Sequence, residues 1–144
     1  MAAKEAWIDT NIIIRFLTAD HAEMTPECAS LMKAAEEGYI KLRVSPLIIA
    51  ECCWVLQSPH YRFTPRDIAK VLIDFLAADG IDADEQETLI TALQHYAELD
   101  VDFIDAYLAA HARGSGTKRI ITFNAKDFDK LKAEHVRPSA ALMT

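Results

Sequence analysis

The stretch Gly38-Tyr-Ile-Lys-Leu-Arg-Val-Ser-Pro-Leu47 contains the pattern that decides the fold, a short strand followed directly by the start of a helix. From Ile40 to Val44 apolar and basic residues alternate with a period of two, which predicts a half-buried strand. Ser45-Pro46 then combines a hydroxyl N-cap with proline at the first helical position. Gly38 is typical of the end of a preceding helix. This segment therefore predicts the order helix, strand, helix.

The same order recurs along the rest of the chain. Predicted strands cover residues 6–9, 40–44, 81–82 and 119–123, and predicted helices cover residues 11–17, 84–99, 102–113 and 126–132, besides three that begin at Thr25-Pro26, Ser45-Pro46 and Thr64-Pro65. The C-terminal tail offers a fifth strand. Alternating strands and helices imply right-handed crossovers and a parallel sheet. We therefore expect an α/β fold, a three-layer α/β/α sandwich around a central, mainly parallel sheet of four to five strands.

Length and composition indicate a single folded domain that spans residues 1–144. The chain is 51% apolar and 26% charged, the balance of a globular protein. No apolar run approaches the roughly 20 residues of a membrane span, and the N-terminus has no signal-like segment. The three cysteines have no zinc-site spacing, and we expect all of them to be buried thiols. These features predict a cytoplasmic protein without a membrane partner.

The net charge of −7 excludes one class of function and leaves another open. A general nucleic-acid coat protein gains affinity from many lysines and arginines that neutralise phosphates, and this chain lacks that excess. A nuclease that holds divalent cations needs carboxylates at its centre instead. The acidic residues that follow strands therefore become the candidates, because ligands gather at the carboxyl ends of parallel strands.

Two acidic residues in the first half of the chain are candidates. Asp9 ends the first predicted strand and precedes Thr10-Asn11, so it serves either the site or the start of the next helix. Glu51 is the only charged residue in the apolar helix that includes residues 47–56, and we expect that helix to be buried. A buried carboxylate needs a partner. We favour a metal ion over a salt bridge to Arg15 or Arg43.

The second half of the chain offers two further acidic segments. Asp102 and Asp105 have the three-residue spacing of a helix capping pair, so capping alone explains both, although small residues after Asp105 favour close packing near the strand ends. Asn124 and Asp127 repeat that spacing after the last central strand, and again a cap or a functional role fits. Thr122 lies at the same strand end, where its hydroxyl can bond a neighbouring carboxylate and orient it.

Four segments together resemble the PIN-domain family, and within it the VapC-type toxins of bacterial toxin–antitoxin pairs. They are Asp9-Thr10-Asn11, Pro46-Leu-Ile-Ile-Ala-Glu51, Asp102-Phe-Ile-Asp-Ala-Tyr-Leu-Ala-Ala110 and Thr122-Phe-Asn-Ala-Lys-Asp-Phe128. The resemblance implies an endoribonuclease that depends on Mg²⁺ or Mn²⁺. Asp9, Glu51 and Asp105 match the three shared acidic positions. The fourth position is assigned to Asp127, with Asn124 in the same segment as the alternative, while Asn11 and Thr122 match polar residues around the metal.

In this interpretation each acidic residue has a role at the metal. Asp9 and Asp105 are expected to bind the ion directly, with Glu51 and Asp127 holding water around it. One ion, or two bridged by the substrate phosphate, would keep the crowded carboxylates ionised.

The resemblance also implies partners beyond the RNA substrate, namely a small antitoxin chain and a second copy of the protein in a homodimer. We expect the antitoxin to lie in an apolar groove, with Trp54, Tyr61 and Phe63 as candidates to line it. Two other classes of function stay open. One is a non-catalytic module that binds nucleic acid or protein, and the other is a phosphotransfer domain with Asp9 as nucleophile.

Overall fold

The computed structural model describes residues 4–143, which form short strands separated by helices. The strands are β1 Lys4–Trp7, β2 Ile40–Val44, β3 Ile81–Ala83, β4 Ile120–Ile121 and β5 His135–Val136. The helices are α1 Thr10–Thr18, α2 Met24–Glu36, α3 Pro46–Gln57, α4 Pro65–Leu76, α5 Gln86–Glu98, α6 Phe103–Gly114, α7 Ala125–Lys130 and α8 Pro138–Ala141. The chain divides into two compact units, residues 1–86 (unit 1) and 87–144 (unit 2).

Unit 1 contains a parallel three-stranded sheet in the order β1-β2-β3. Leu42 of β2 lies opposite Ala6 on one side and Ile81 on the other. Leu42 and Val44 are fully buried, so the central strand lies in the core of the unit. Helices connect the strands, as parallel pairing requires. The predicted parallel α/β arrangement is confirmed here.

The first strand differs from its prediction as a buried strand over residues 6–9. It ends at Trp7, all four of its residues are exposed, and the Trp7 side chain keeps 60% of its surface accessible. Ile8, which follows the strand, is buried. The physical reason is the position of β1 at the edge of its sheet, where it pairs with β2 alone.

Two of the three predicted helix starts are confirmed. The Ser45 hydroxyl accepts from the Leu47 N–H at the start of α3, and Thr64 forms a full capping box with Asp67 at the start of α4. The start predicted at Thr25-Pro26 is wrong, because α2 begins at Met24. There the ring Nδ1 of His21 accepts from the Met24 N–H (3.0 Å), so a histidine takes the place of the predicted hydroxyl cap.

Unit 2 contains α5 to α8 and a parallel pair of strands, in which Ile120 of β4 lies opposite His135 of β5. The strand predicted over residues 119–123 is confined to Ile120–Ile121, and the predicted strand of the tail is present as β5. Among residues 4–143 the strands therefore join as three and two rather than as one sheet. All three cysteines are buried, as predicted. The helices within these residues include none with the length and apolar character of a membrane span.

Candidate metal-binding and active site

Three polar side chains of unit 2 meet where α6 and α7 begin. Asp105 lies in the first turn of α6, Asn124 is the N-cap of α7, and Asp127 lies in the first turn of α7. The amide Nδ2 of Asn124 donates to Oδ2 of Asp105 (3.3 Å) and to Oδ2 of Asp127 (2.9 Å). One amide therefore links two carboxylates that are 22 positions apart in the chain.

The electrostatic environment of Asp105 is unfavourable for its charge. Partial burial raises the pKa of Asp105, and the negative charges of Asp102 and Asp127 raise it further. The hydrogen bond from Asn124 acts in the opposite direction because it stabilises the ionised form. Crowded carboxylates of this kind attract a cation, since a positive charge relieves their mutual repulsion.

Capping does not explain Asp102 and Asp105, contrary to one of the two interpretations open from the sequence. Asp102 occupies the N-cap position of α6, yet its side chain makes no capping hydrogen bond. The backbone carbonyl of Asp102 accepts from the Ala106 N–H (3.0 Å), the ordinary first hydrogen bond of the helix, so only the side chain of Asp102 is left without a capping role. A structural role for this pair of carboxylates is therefore not found in residues 4–143.

Asn124 and Asp127, in contrast, have the predicted structural role. Oδ1 of Asn124 accepts from the Asp127 N–H (3.3 Å) and caps α7. Thr122 accepts from the Asn124 N–H (2.9 Å). The predicted bond from Thr122 to a carboxylate is not found among residues 4–143, where its hydroxyl accepts from the backbone of the cap residue. Thr122 thus positions Asn124, which in turn holds both carboxylates.

In unit 1, Asp9 lies at the N-terminus of α1 and is itself the N-cap. Its Oδ1 accepts from the Ile12 N–H at 3.4 Å, and its side chain is exposed. Thr10, which sequence reasoning treated only as a cap, is 95% buried, and its hydroxyl has no hydrogen-bond partner within residues 4–143. A buried polar atom of this kind usually bonds water or an ion. Asn11 is exposed and its amide is likewise unpartnered in that range.

Glu51 departs most from its prediction, because it is exposed rather than buried. It lies between Leu47 and Trp54 on one stripe of α3, and these apolar side chains are 78% and 74% accessible. The apolar residues of α3 therefore do not all face the core. The alternative salt bridge is also absent: Arg15 pairs with Asp20, and Arg43 pairs with three other carboxylates.

The predicted site residues thus fall into two groups. Unit 2 brings together Asp105, Asn124 and Asp127, with Asp102 close enough to affect the charge of Asp105. In unit 1, no hydrogen bond or ion pair joins Asp9 to Glu51 within the described residues. The signal missed at Thr10 was a polar residue set between apolar neighbours Ile8 and Ile12.

Comparison with known protein families gives a match to the PIN domain over residues 6–134, about nine-tenths of the chain. The chain belongs to the PIN domain family. PIN domains are generally nucleases, and a hydrolytic activity on nucleic acid agrees with the carboxylate cluster. PIN domain nucleases typically use divalent metal ions. A comparison with curated proteins found no match.

The side chains of this PIN domain fit a divalent cation in kind, since carboxylate and amide oxygens are the ligands of Mg²⁺. In unit 2, the raised pKa of Asp105 favours a cation. In unit 1, taken by itself, the buried hydroxyl of Thr10 has no hydrogen-bond partner within residues 4–143. Within residues 4–143, no three acidic, histidine or cysteine side chains lie close enough to enclose an ion by themselves. Mg²⁺ commonly takes only one or two carboxylates and completes its shell with water and substrate phosphate. The donors of unit 2, Asp105, Asn124 and Asp127, therefore fit an open site.

Proposed function

We propose that this PIN domain is an endoribonuclease that hydrolyses RNA phosphodiester bonds and depends on Mg²⁺ or Mn²⁺. The observation that carries the proposal is the pair of carboxylates, Asp105 and Asp127, held by one amide, Asn124, with the charge of Asp102 acting on Asp105. Protein folds do not usually gather carboxylates unless a cation or a proton compensates them. The family supports nuclease chemistry, and the charge pattern supports metal dependence.

The ion would be held by Asp105 and Asp127, and the resemblance adds Asp9 and Glu51 as predicted ligands. A bound divalent cation supplies positive charge to a phosphate and lowers the pKa of water. The residues of the chain supply the orientation. Asn124 fixes Oδ2 of both carboxylates, which leaves Oδ1 of Asp105 without a protein donor among residues 4–143. That oxygen is therefore free to bind a ligand.

Cleavage of a fluorescent RNA by the purified chain tests this proposal. We expect cleavage with Mg²⁺ or Mn²⁺ that stops with a chelator and falls at least a hundredfold in Asp105→Asn, the scale of losing an essential electrostatic group. Glu87→Gln is the matched control, because Glu87 is an exposed carboxylate of the same unit in the first turn of α5. No cleavage by the wild type, or equal cleavage by Asp105→Asn, would refute the proposal.

We further propose that the protein acts in the cytoplasm as a VapC-type toxin that an antitoxin silences. A groove of about 670 Å³ between α1, α2 and α4 supports a partner site, with Phe16, Met32 and Phe75 among its apolar walls. Its rim carries more acidic than basic groups, which favours a basic partner segment. Trp54, Tyr61 and Phe63, the residues first predicted to line such a groove, are not part of it. A homodimer and a three-layer sandwich remain part of this proposal.

Expression in cells tests the toxin role. We expect growth arrest on induction of the wild type, no arrest with Asp105→Asn, and rescue by the product of a short reading frame immediately upstream. Phe16→Asp places a charge in the groove at a side chain that is partly exposed. Phe75→Asp is unsuitable, because Phe75 is buried and a charge there would disturb the fold. The Phe16→Asp variant should still arrest growth, and the upstream product should no longer rescue the cells. Wild-type expression without growth arrest would contradict the toxin role while leaving the nuclease proposal intact.

One observation favours a second function, a non-catalytic PIN module that binds nucleic acid or protein. It is the absence, within residues 4–143, of three acidic, histidine or cysteine side chains around one point. Such a module would bind RNA without hydrolysing it. Retention of intact RNA by the wild type in the presence of Mn²⁺ would favour this function over hydrolysis.

A further inference from the structure

A second cavity of unit 1 lies between α1 and α2 and has a volume of about 440 Å³. Its apolar walls are Ile12, Met24 and Leu31, and its polar groups include Asn11, Arg15 and Glu27. A small ligand with an apolar face and polar edges suits such a space, because small-ligand pockets of roughly 300–1,000 Å³ combine apolar walls with a few placed polar groups.

The cavity lies beside the start of α1, where Asp9 is the N-cap. Asn11, two residues after Asp9, is one of its lining residues. The buried thiol of Cys28 also lines it, and burial raises the pKa of Cys28, with Glu27 and Asp9 adding to the effect and Arg15 opposing it. Three charged side chains therefore lie close enough to one thiol to act on it. Asp9 therefore lies near the cavity.

Two polar groups that line the cavity, Arg15 and Glu27, keep hydrogen-bonding capacity that residues 4–143 do not use. Nη1 of Arg15 donates to Oδ1 of Asp20 (3.1 Å) and to the Tyr61 hydroxyl (3.3 Å), which fixes the guanidinium plane. Its Nη2 has no partner within residues 4–143. The Glu27 carboxylate likewise has no hydrogen bond or ion pair among the described residues. Nη2 of Arg15 and the two carboxylate oxygens of Glu27 are therefore free to bond a ligand of the cavity that these residues line.

The negative charges at the cavity favour the base of a nucleotide over its phosphate. Glu27 carries a negative charge, and Asp9 adds a second one nearby, so a phosphate would be repelled. A neutral base is not repelled. Single-stranded RNA is recognised through bases that are splayed out and bonded on their edges. The cavity therefore suits a base and not the backbone.

Among the four bases, guanine has the edge that matches these groups. Its N1–H and N2–H donors lie side by side, as the two oxygens of a carboxylate require, and its O6 accepts beside them. Uracil offers one N–H, whereas adenine and cytosine offer one amino group each. Arginine and a guanine O6 form a common specific pair. Glu27 and Arg15 together supply the acceptor pair and the donor.

We propose that the cavity between α1 and α2 binds a guanine base of the RNA next to the cleaved bond, with Glu27 and Arg15 as its specificity-determining residues. The proposal rests on the proposed ribonuclease function. In that function Asp9, which lies beside the cavity, is a predicted ligand of the metal ion. The expected consequence is cleavage beside guanine.

Binding of nucleosides, measured without catalysis, tests the cavity directly. The full chain labelled at its methionine methyl groups is titrated with guanosine, adenosine, cytidine and uridine and observed by NMR. Met24 lines the cavity, whereas Met32 lines the other groove and serves as the internal control. We expect guanosine to shift the Met24 signal and leave the Met32 signal unchanged. The other nucleosides should bind about tenfold more weakly, the effect of losing one paired contact.

Glu27→Gln is the deciding variant. It should lower guanosine affinity about tenfold while keeping the methyl spectrum of the folded protein. Glu37→Gln, an exposed carboxylate at the other end of α2, should bind like the wild type. No shift of Met24, equal shifts with all four nucleosides, or unchanged guanosine affinity in Glu27→Gln would each overturn the proposal.

Mapping of cleaved bonds separates this proposal from the ribonuclease proposal. If the wild type cuts RNA beside guanine and Glu27→Gln loses that preference, both proposals are supported. If the wild type cuts without preference for guanine, the base pocket fails and the nuclease stands. If it cuts no RNA, the nuclease proposal fails, and guanosine binding at Met24 still decides whether the pocket exists.

Discussion

Replacement of Gly80 by alanine is the sharpest test of the packing in unit 1. Gly80 precedes β3, and its carbonyl accepts from the Leu42 N–H at 2.8 Å, which aligns β3 with the central strand. Its φ of +84° lies in the left-handed region. A Cβ at this position would collide with the backbone carbonyl and Cβ of Ala35 near the end of α2. The backbone of α2 has no rotamer with which to avoid the contact.

The expected cost has two parts. A left-handed conformation costs a residue other than glycine about 1–2 kcal/mol. The collision adds the cost of overpacking, about 1–3 kcal/mol. Gly38→Ala is the matched control, because Gly38 has a φ of +87° but open space around the added Cβ. The free energy of unfolding of Gly38→Ala should therefore fall only by the conformational part of the cost. The difference between the two variants then isolates the collision with Ala35.

Urea unfolding followed by far-UV circular dichroism measures the difference. We expect Gly80→Ala to have a free energy of unfolding about 1–3 kcal/mol lower than that of Gly38→Ala. The smaller conformational entropy of the unfolded chain is common to both variants and cancels. Equal free energies for the two variants would refute the close approach of β3 to α2.

Three further predictions concern charge and pH. The raised pKa of Asp105 means that folding favours its neutral form, so the stability of the fold falls as pH rises through that pKa. With a chelator present at pH 7, Asp105→Asn should therefore have a higher melting temperature than the wild type. Asp20 has the opposite sign: its pKa is about 2 against 3.8, so its stabilising effect is complete above 3.8 and is lost as pH falls toward 2. Asp20→Asn should therefore flatten the acid limb of the stability curve measured by melting. Tyr61→Phe should raise the pKa of Asp20 in an NMR titration, because the 2.8 Å bond from the Tyr61 hydroxyl is the largest cause of its lowering.

Features encoded by adjacent residues were predicted well from the sequence. Ser45-Pro46 and Thr64-Pro65 each supply a cap and a fixed φ within two residues, so no distant contact is needed to specify α3 and α4. The strand Ile40–Val44 has its predicted bounds because its alternation reflects one buried face. One distant contact was also expected, the meeting of Asp105 with Asn124 and Asp127, which followed from the family resemblance and not from a local pattern.

Other features that depend on distant contacts were not predicted. The burial expected for Glu51 came from the composition of α3 alone, and composition does not show which stripe of a helix faces the core. At the start of α2 the ring of His21, and not the hydroxyl of Thr25, accepts from a free N–H, a contact that the sequence pattern does not contain. The bond of Tyr61 to Asp20 spans 41 positions and has no local signal.

Binding of Mn²⁺ to the metal-free protein, followed by electron paramagnetic resonance, tests the central claim most directly. We expect the wild type to take up Mn²⁺ with a defined stoichiometry, Glu87→Gln to match it, and Asp105→Asn to lose it, since Asp105 is the most crowded carboxylate of the cluster. Wild-type protein that takes up no Mn²⁺, or uptake by Asp105→Asn equal to that of the wild type, would contradict a metal site at the start of α6 and α7.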